Sequence, residues 1–203
     1  MSSIITKSID LLRHGEPVGG KRFRGSTDDP LSEDGWQQMR TSLEGHSGWD
    51  VIVSSPLRRC AEFAAEVADK HKLKLQVISG LAELEFGEWE GMTPNEVEQQ
   101  YPDALKQFYD DPFTFIAPGG ESMQIFYDRV SEVWKDVMQT YRGQSILLIA
   151  HGGVNRVILQ QILDFPPQNM FRLQMGFAAL VNLIVTDDGE RLWPRIKKIS
   201  EGF

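Results

Sequence analysis

Short apolar runs alternate with amphipathic segments along most of this chain. Residues 4–10, 50–53 and 73–78 are rich in aliphatic and β-branched side chains, and polar or glycine-containing stretches separate them. Residues 145–150 form a continuous apolar run, which is typical of a strand that is buried on both faces of a sheet. The pattern therefore predicts four strands, each followed by polar residues.

Helix-start signals lie between these predicted strands. Thr93–Glu96 forms a capping box with proline at its second position, and Ser122 precedes a long amphipathic stretch. Ser55 followed by Pro56 predicts a helix with Ser55 as its cap, Pro56 as its first residue and its end near Lys70. Further helices are predicted between the first two strands and directly after the buried run.

The alternation of strands and helices predicts an α/β fold. Residues 178–185 and 192–199 are predicted to form two more strands, which pair antiparallel through a turn at Asp188-Gly189. The expected architecture is a single-domain, three-layer sandwich with a mainly parallel sheet flanked by helices. No linker divides residues 1–203, so we expect one domain with a small helical lid insertion at about residues 92–120.

Composition and charge narrow the functional class. The chain of 203 residues has a formal net charge of −8 and no cluster of Lys or Arg, which disfavours binding to nucleic acid. It has no secretory signal pattern and no apolar run near the roughly 20 residues that a membrane-spanning helix needs, so we expect a cytoplasmic protein without a membrane partner. The single cysteine, Cys60, excludes a disulfide framework and a Cys-based metal site and is expected to be a small core residue.

Charged and imidazole side chains occur where the predicted strands end. Arg13 and His14 follow the first strand, and Arg59 follows the second. Glu83 lies after the third strand, and His151 directly follows the buried run. Because the carboxyl ends of parallel strands share one edge of a sheet, we expect these side chains to converge on one crevice. Guanidinium groups pair bidentately with phosphate oxygens, so the crevice is suited to a phosphoryl group.

Five short segments resemble the histidine phosphatase superfamily, which includes the cofactor-dependent phosphoglycerate mutases. They occur in the family's order, between about residue 9 and residue 156. The segments are Leu12-Arg13-His14-Gly15-Glu16, Ser55-Pro56-Leu57-Arg58-Arg59, the acidic stretch Glu83–Gly91, Gly120-Glu121-Ser122 and Ala150-His151-Gly152. One such segment alone is a weak signal, whereas five in the same order are a strong one.

The resemblance implies a role for each matching residue. His14 would be the nucleophile and would be phosphorylated during turnover, and Glu83 would donate the proton to the leaving group. Arg13, Arg59 and His151 would hold the phosphoryl group. No cofactor is expected, and no metal either, because the two histidines lack partners at metal-ligand spacing.

A histidine nucleophile must be neutral and must keep one ring nitrogen free. Neighbouring guanidinium groups disfavour the imidazolium form and are expected to lower the pKa of His14. A backbone carbonyl that accepts from the other ring nitrogen would fix the tautomer, and Gly15 leaves room for such a close contact.

The loop after the first strand departs from the family pattern. Many members carry an asparagine there that donates to the phosphate, but no asparagine lies between Gly15 and Gly25. That donor is either missing or replaced by Arg24 or by loop amides, and Arg24-Gly25 is expected to fold over an anion. The alternative is a solvated basic loop. We also expect Gly152 to bind phosphate beside His151.

The predicted lid bears on the choice of substrate. Residues 92–120 contain one cation, Lys106, together with several acids and aromatic residues. This balance favours a phosphatase with a neutral or aromatic leaving group over a mutase, which must hold a second anionic group. Packing of the lid's own core would explain the aromatic residues equally well. The loop Gly19–Gly25 and the run Asp28–Ser32 look most like the α-ribazole phosphatase branch of cobalamin synthesis, which implies a small-molecule phosphomonoester such as α-ribazole 5'-phosphate.

Three alternatives stay open. They are a broad-specificity sugar or nucleotide phosphatase, a phosphoglycerate mutase, and a non-catalytic module that binds phospholigands. A module that had lost catalysis would be expected to lack His14, Glu83 or His151, but all three residues are present. The sequence does not indicate an oligomeric state.

Overall fold

One six-stranded sheet runs through the part of the chain that the computed structural model describes, residues 4–203. Its strands are β1 (Ile5–Arg13), β2 (Val51–Ser54), β3 (Lys74–Val77), β4 (Ile146–Ala150), β5 (Leu180–Asp187) and β6 (Leu192–Ser200). They lie in the order β3-β2-β4-β1-β5-β6. The first four strands in this order are parallel, whereas β5 pairs antiparallel with both β1 and β6. The sheet is therefore mainly parallel, as predicted.

The described residues also form six α-helices. They are α1 (Glu33–Ser42), α2 (Arg58–His71), α3 (Pro94–Gln100), α4 (Ala104–Asp110), α5 (Met123–Thr140) and α6 (Gly152–Leu163). Short 3-10 turns occur at Ser79–Leu81, Gly87–Trp89 and Pro167–Arg172. Within residues 4–203, no helix has both the length and the apolar character needed to cross a membrane.

Hydrophobic cores lie on both faces of the sheet. In β4, Leu148 belongs to a cluster with Phe126 and Val130 of α5, whereas the neighbouring Leu147 belongs to a second cluster with Phe63 of α2. This alternation follows from strand geometry, in which successive side chains point to opposite faces. Helices thus cover both faces, which confirms the three-layer α/β sandwich.

The start of α2 differs from the prediction. The sequence predicts Ser55 as the cap and Pro56 as the first helical residue, but α2 begins at Arg58 without a cap from its own side chains. The Ser55 hydroxyl instead lies 2.7 Å from Nε2 of His151. A carboxylate oxygen of Asp28 accepts the Arg58 N–H at 2.7 Å and so caps the helix from an earlier loop. The Ser55 hydroxyl also accepts the Leu57 N–H at 3.3 Å, but the helix starts two residues later than predicted, so the predicted cap position is wrong.

Residues 92–120 contain α3, as the signal at Thr93–Glu96 predicts, and the short helix α4. The Thr93 hydroxyl accepts from the Glu96 N–H, and the Glu96 carboxylate accepts from the Thr93 N–H, so the capping box is formed. Phe108 of α4 is buried and packs against Trp89, with ring centroids 5.8 Å apart. These contacts join the segment to the core, and its action as a lid stays a prediction.

Two charged side chains hold the loop 24–27 from opposite sides. The Glu90 carboxylate accepts hydrogen bonds from the N–H groups of residues 25, 26 and 27 at 2.8 to 3.0 Å. Arg59 is fully buried and donates to the Thr27 carbonyl at 2.7 Å and to the carbonyls of residues 24 and 25 at 3.2 Å. Burial opposes the ionisation of Glu90, but its hydrogen bonds from Thr27, Phe86 and Gly25 outweigh burial and lower its pKa.

Replacing Glu90 with Gln is expected to lower the free energy of unfolding by about 1–3 kcal/mol. A glutamine keeps one acceptor oxygen but turns an amide N–H2 towards loop N–H groups, which leaves buried donors unpaired. Urea unfolding followed by circular dichroism measures the difference. Glu132→Gln is the matched control, because Glu132 is exposed on α5.

The effect of Glu90→Gln is also expected to depend on pH. Because folding lowers the pKa of Glu90, its stabilisation is present above the ordinary carboxyl pKa and is lost as the pH falls through the lowered value. The difference between wild type and variant should therefore be constant above about pH 5 and should shrink below it. A difference that grows on acidification would contradict this role of the carboxylate.

Candidate active site

A cavity of about 580 Å³ lies beyond the carboxyl end of β1. Arg13 and His14 line it, together with Glu83 and residues from the loop 21–24. α4, α6 and residues 170–177 complete the wall. The chain therefore brings several of the predicted site residues to one place.

His14 is held as a neutral imidazole with one free nitrogen. Its Nδ1 lies 2.7 Å from the carbonyl oxygen of Gly15, which accepts a hydrogen bond from the Nδ1–H group. In the neutral ring, Nε2 then carries no hydrogen. Burial, followed by the charges of Arg13 and Arg59, holds the pKa of His14 well below its usual value. The expected carbonyl contact and the lowered pKa are confirmed, although burial contributes more than the guanidinium groups.

Gly15 is required by a close backbone approach. A Cβ at this position would lie 2.1 Å from the carbonyl oxygen of Gly35 in α1, and a Cβ on Gly35 would lie 2.1 Å from the carbonyl oxygen of Glu16. The paired glycines let the start of α1 pack directly against the backbone that carries His14.

His151 lies beside His14, with the ring centroids 5.2 Å apart and the rings edge to face. It is fully buried, and its Nε2 lies 2.7 Å from the Ser55 hydroxyl. Burial, then the charges of Arg59 and His14, lower the pKa of His151 well below its usual value. Burial also raises the pKa of Cys60 to about 12, and its Sγ donates to the Ala150 carbonyl at 3.3 Å. Cys60 is a neutral core residue, as predicted.

Two buried guanidinium N–H groups have no hydrogen-bond partner within residues 4–203. They are Nε of Arg13 and Nε of Arg59. The Arg13 guanidinium group is held through Nη1, which donates to the Met175 carbonyl, and its carbon lies 4.6 Å from the Phe177 ring centroid. Burial and the nearby Arg156 lower the pKa of Arg13 to about 10. Unpaired buried donors of this kind cost about 1–3 kcal/mol each, and phosphoryl oxygens would satisfy them.

Glu83 is fixed at the N-terminus of α6. Its Oε2 accepts the Gly153 N–H at 3.0 Å, and its Oε1 accepts the Leu84 N–H at 3.1 Å. A Cβ on Gly153 would lie 2.3 Å from Oε1, so only glycine leaves room for this carboxylate. Arg129 donates to the Glu83 carbonyl at 3.0 Å and pairs with Glu121, which steadies the loop from behind. Sequence reasoning missed Gly153, although the glycine pair after His151 signalled it.

Another arginine of the cavity was also missed. Arg156 of α6 lines the cavity, and its Nε donates to the Leu173 carbonyl at 2.8 Å. Burial lowers its pKa, against the opposing effects of Glu83 and Tyr109. By contrast Lys106, the one cation of residues 92–120, is exposed on α4 and pairs with Asp110 at 2.5 Å.

The predicted phosphate-binding loop is only partly in the cavity. Arg24 lines the wall, but its Nε pairs with Asp29 at 2.6 Å and its terminal nitrogens donate to two loop carbonyls. Gly25 gives its N–H to Glu90 at 2.8 Å and is not brought into the cavity. Gly152 does line the cavity at the start of α6. Phosphate binding by these residues stays a prediction.

Comparison with known proteins agrees with this geometry. Residues 9–195 match the model of the histidine phosphatase superfamily, branch 1. Phosphoserine phosphatase 1 of Hydrogenobacter thermophilus is 32% identical over 147 residues, which cover 70% of this chain and 69% of that protein. The adenosylcobalamin/α-ribazole phosphatase of Escherichia coli is 27% identical over 180 residues, which cover 85% of this chain and 88% of that protein.

A solved structure has the same fold. The mycobacterial glucosyl-3-phosphoglycerate phosphatase superposes with a TM-score of 0.83 at 26% identity, covering 98% of this chain and 100% of that one. Some relatives are longer, since the chain spans about half the length of mycobacterial proteins that are 31% identical to it. The chain has the five motifs in the family's order, the cavity brings several of their residues together, and the family model matches most of the chain's length. The chain therefore belongs to the histidine phosphatase superfamily.

Proposed function

We propose that this protein hydrolyses small-molecule phosphomonoesters through a phosphohistidine formed at His14. One observation carries the proposal: a neutral, buried imidazole with a free Nε2 lies beside two buried arginines that have unpaired N–H groups. A free imidazole nitrogen supplies a nucleophile, and the guanidinium groups stabilise the charge on the phosphoryl oxygens.

In the first step, Nε2 of His14 attacks phosphorus and the bond between phosphorus and the ester oxygen breaks. Arg13 and Arg59 donate to the phosphoryl oxygens, and His151, whose ring centroid lies 5.2 Å from that of His14, adds a further donor in this proposal. Glu83 in its protonated form gives its proton to the departing alkoxide, so the alcohol leaves uncharged. The product of this step is phosphohistidine with Glu83 as a carboxylate.

In the second step, the Glu83 carboxylate takes a proton from water as the water oxygen attacks the phosphohistidine. The bond between phosphorus and Nε2 breaks and inorganic phosphate forms. His14 returns to its neutral state with Nδ1 still donating to the Gly15 carbonyl. Glu83 is protonated again and ready for the next ester.

The resemblance of the loop Gly19–Gly25 and the run Asp28–Ser32 to the α-ribazole phosphatase branch makes α-ribazole 5'-phosphate a candidate substrate. The Escherichia coli relative, which is named as an adenosylcobalamin/α-ribazole phosphatase, supports this candidate. Phe86, Phe108 and Phe171 line the cavity and provide the apolar wall that an aromatic base would need. A broad-specificity phosphatase is the alternative, since other relatives are named as phosphatases of phosphoserine and of glucosyl-3-phosphoglycerate.

His14→Asn is expected to lower the hydrolysis of p-nitrophenyl phosphate by at least about a thousandfold, because the nucleophile is lost. Release of p-nitrophenolate measures the rate, and a thermal melt checks the fold. His71→Asn, the same change at an exposed position on α2, is the matched control. An active and folded His14→Asn variant would show that another group attacks phosphorus.

Glu83→Gln is expected to slow the hydrolysis of alkyl phosphates much more than that of p-nitrophenyl phosphate. An alkoxide needs a proton to leave, whereas p-nitrophenolate leaves readily without one. The ratio of the two kcat/KM losses is the readout, and Glu85→Gln removes the same charge from an exposed neighbour as a control. Gly153→Ala should shift the ratio in the same direction, since its Cβ would displace the carboxylate. Equal losses on both esters would contradict the proton-donor role.

Activity is expected to be unchanged in excess EDTA, because the arginines supply the positive charge that a metal supplies in other phosphatases. Rates of p-nitrophenyl phosphate hydrolysis before and after chelation test this. Loss of activity in EDTA that a divalent cation restores would show that a metal takes part.

A further inference from the structure

Arg156 is fixed so that it presents one edge of its guanidinium group to the cavity. Its Nε donates to the Leu173 carbonyl at 2.8 Å, whereas Nη1 and Nη2 form no hydrogen bond within residues 4–203. The guanidinium carbon also lies 5.5 Å from the ring centroid of Phe171, which restricts its movement. Two parallel N–H donors held in this way match the two oxygens of a carboxylate.

Within the cavity, Arg156 lies between Arg13, at the end that we propose holds the phosphoryl group, and the aromatic ring of Phe171. A Cβ on Gly152 would lie 3.4 Å from Nε of Arg13 and 3.1 Å from Nη1 of Arg156, so the two guanidinium groups flank this glycine. On its other side Arg156 stacks on Phe171, which packs against Phe108 of α4 with ring centroids 5.0 Å apart. Arg156 therefore lies beside the part of a substrate that follows the ester oxygen.

No carboxylate of the described residues forms an ion pair with Arg156. None of the ion pairs within residues 4–203 includes it. Glu83 is the acidic side chain of the same cavity, but both of its oxygens accept backbone N–H groups. Arg13 and Arg156 are thus two neighbouring cations, and a substrate that brings two anionic groups would balance both charges.

We propose that Arg156 is a specificity-determining residue that binds a carboxylate of the substrate, placed two or three bonds beyond the ester oxygen. The inference rests on the proposed phosphatase function and narrows its substrate class. It differs from the choice of α-ribazole 5'-phosphate, which has no carboxylate. The shortage of cations in residues 92–120, where Lys106 pairs with Asp110, does not exclude a second anionic group, because α6 supplies a cation.

Matched substrate pairs test this proposal. O-phosphoserine and O-phosphoethanolamine differ by one carboxylate, and 3-phosphoglycerate and glycerol 3-phosphate differ by a carboxylate in place of a hydroxymethyl group. The wild type is expected to show a kcat/KM at least about tenfold higher for the carboxylate member of a pair, as a charge-assisted hydrogen bond provides. Arg156→Gln should reduce that preference by about 10- to 100-fold, mainly through KM, because the contact is present before and during the reaction.

Arg172→Gln is the matched control, since Arg172 is exposed next to Phe171 and its loss removes one positive charge without touching the cavity. It should leave the preference unchanged. If Arg156→Gln does not fold, Arg156→Lys replaces it: lysine keeps the charge but lacks the fork, so an intermediate preference is expected.

Three results would overturn the proposal. They are a wild type that hydrolyses p-nitrophenyl phosphate but has no carboxylate preference, a preference that Arg156→Gln leaves intact, and an equal loss on every ester. The last result would place Arg156 on the phosphoryl group itself. A folded wild type that hydrolyses no phosphomonoester, p-nitrophenyl phosphate included, would instead contradict the proposed function on which this inference rests.

Discussion

Arg59 and Glu90 hold the loop 24–27 between them, and the geometry of the phosphate end of the cavity depends on that arrangement. The Glu90 carboxylate accepts hydrogen bonds from the loop's N–H groups, and Arg59 donates hydrogen bonds to its carbonyls. Arg59 is thereby fixed by neutral acceptors and not by a carboxylate, so its positive charge is not neutralised. That charge helps to keep His14 and His151 in their neutral forms, and Nε of Arg59 is buried without a hydrogen-bond partner among residues 4–203.

The cavity is a positive region in a protein whose formal net charge is −8. Arg13 and Arg156 line it, Arg59 is fully buried outside its lining, and backbone carbonyls orient all three. Glu83 lies among them without pairing with any, because the N-terminus of α6 and the next backbone amide occupy its oxygens. Such a site suits the multiply charged phosphoryl group and the proton transfer by Glu83 that we propose.

Much of this arrangement could be predicted from the sequence. The buried run 145–150 and the alternation of strands with helices fix a parallel sheet, and the sheet edge then brings His14 and His151 together. What could not be predicted comes from contacts between distant segments. Asp28 caps α2, which starts two residues after the predicted position, and the Ser55 hydroxyl contacts His151. Arg156 follows a helical pattern in which it resembles an ordinary surface residue, and only the folded chain shows that it borders the cavity.

The central claim is that the phosphoryl group passes through His14 before it reaches water. The stereochemical course at phosphorus tests this most directly, with a phosphorothioate monoester made chiral by two oxygen isotopes and hydrolysed in water that carries the third, so that the released thiophosphate is itself chiral. Two in-line displacements invert the configuration twice, so the account predicts net retention. Net inversion would show a single displacement by water and would contradict the account.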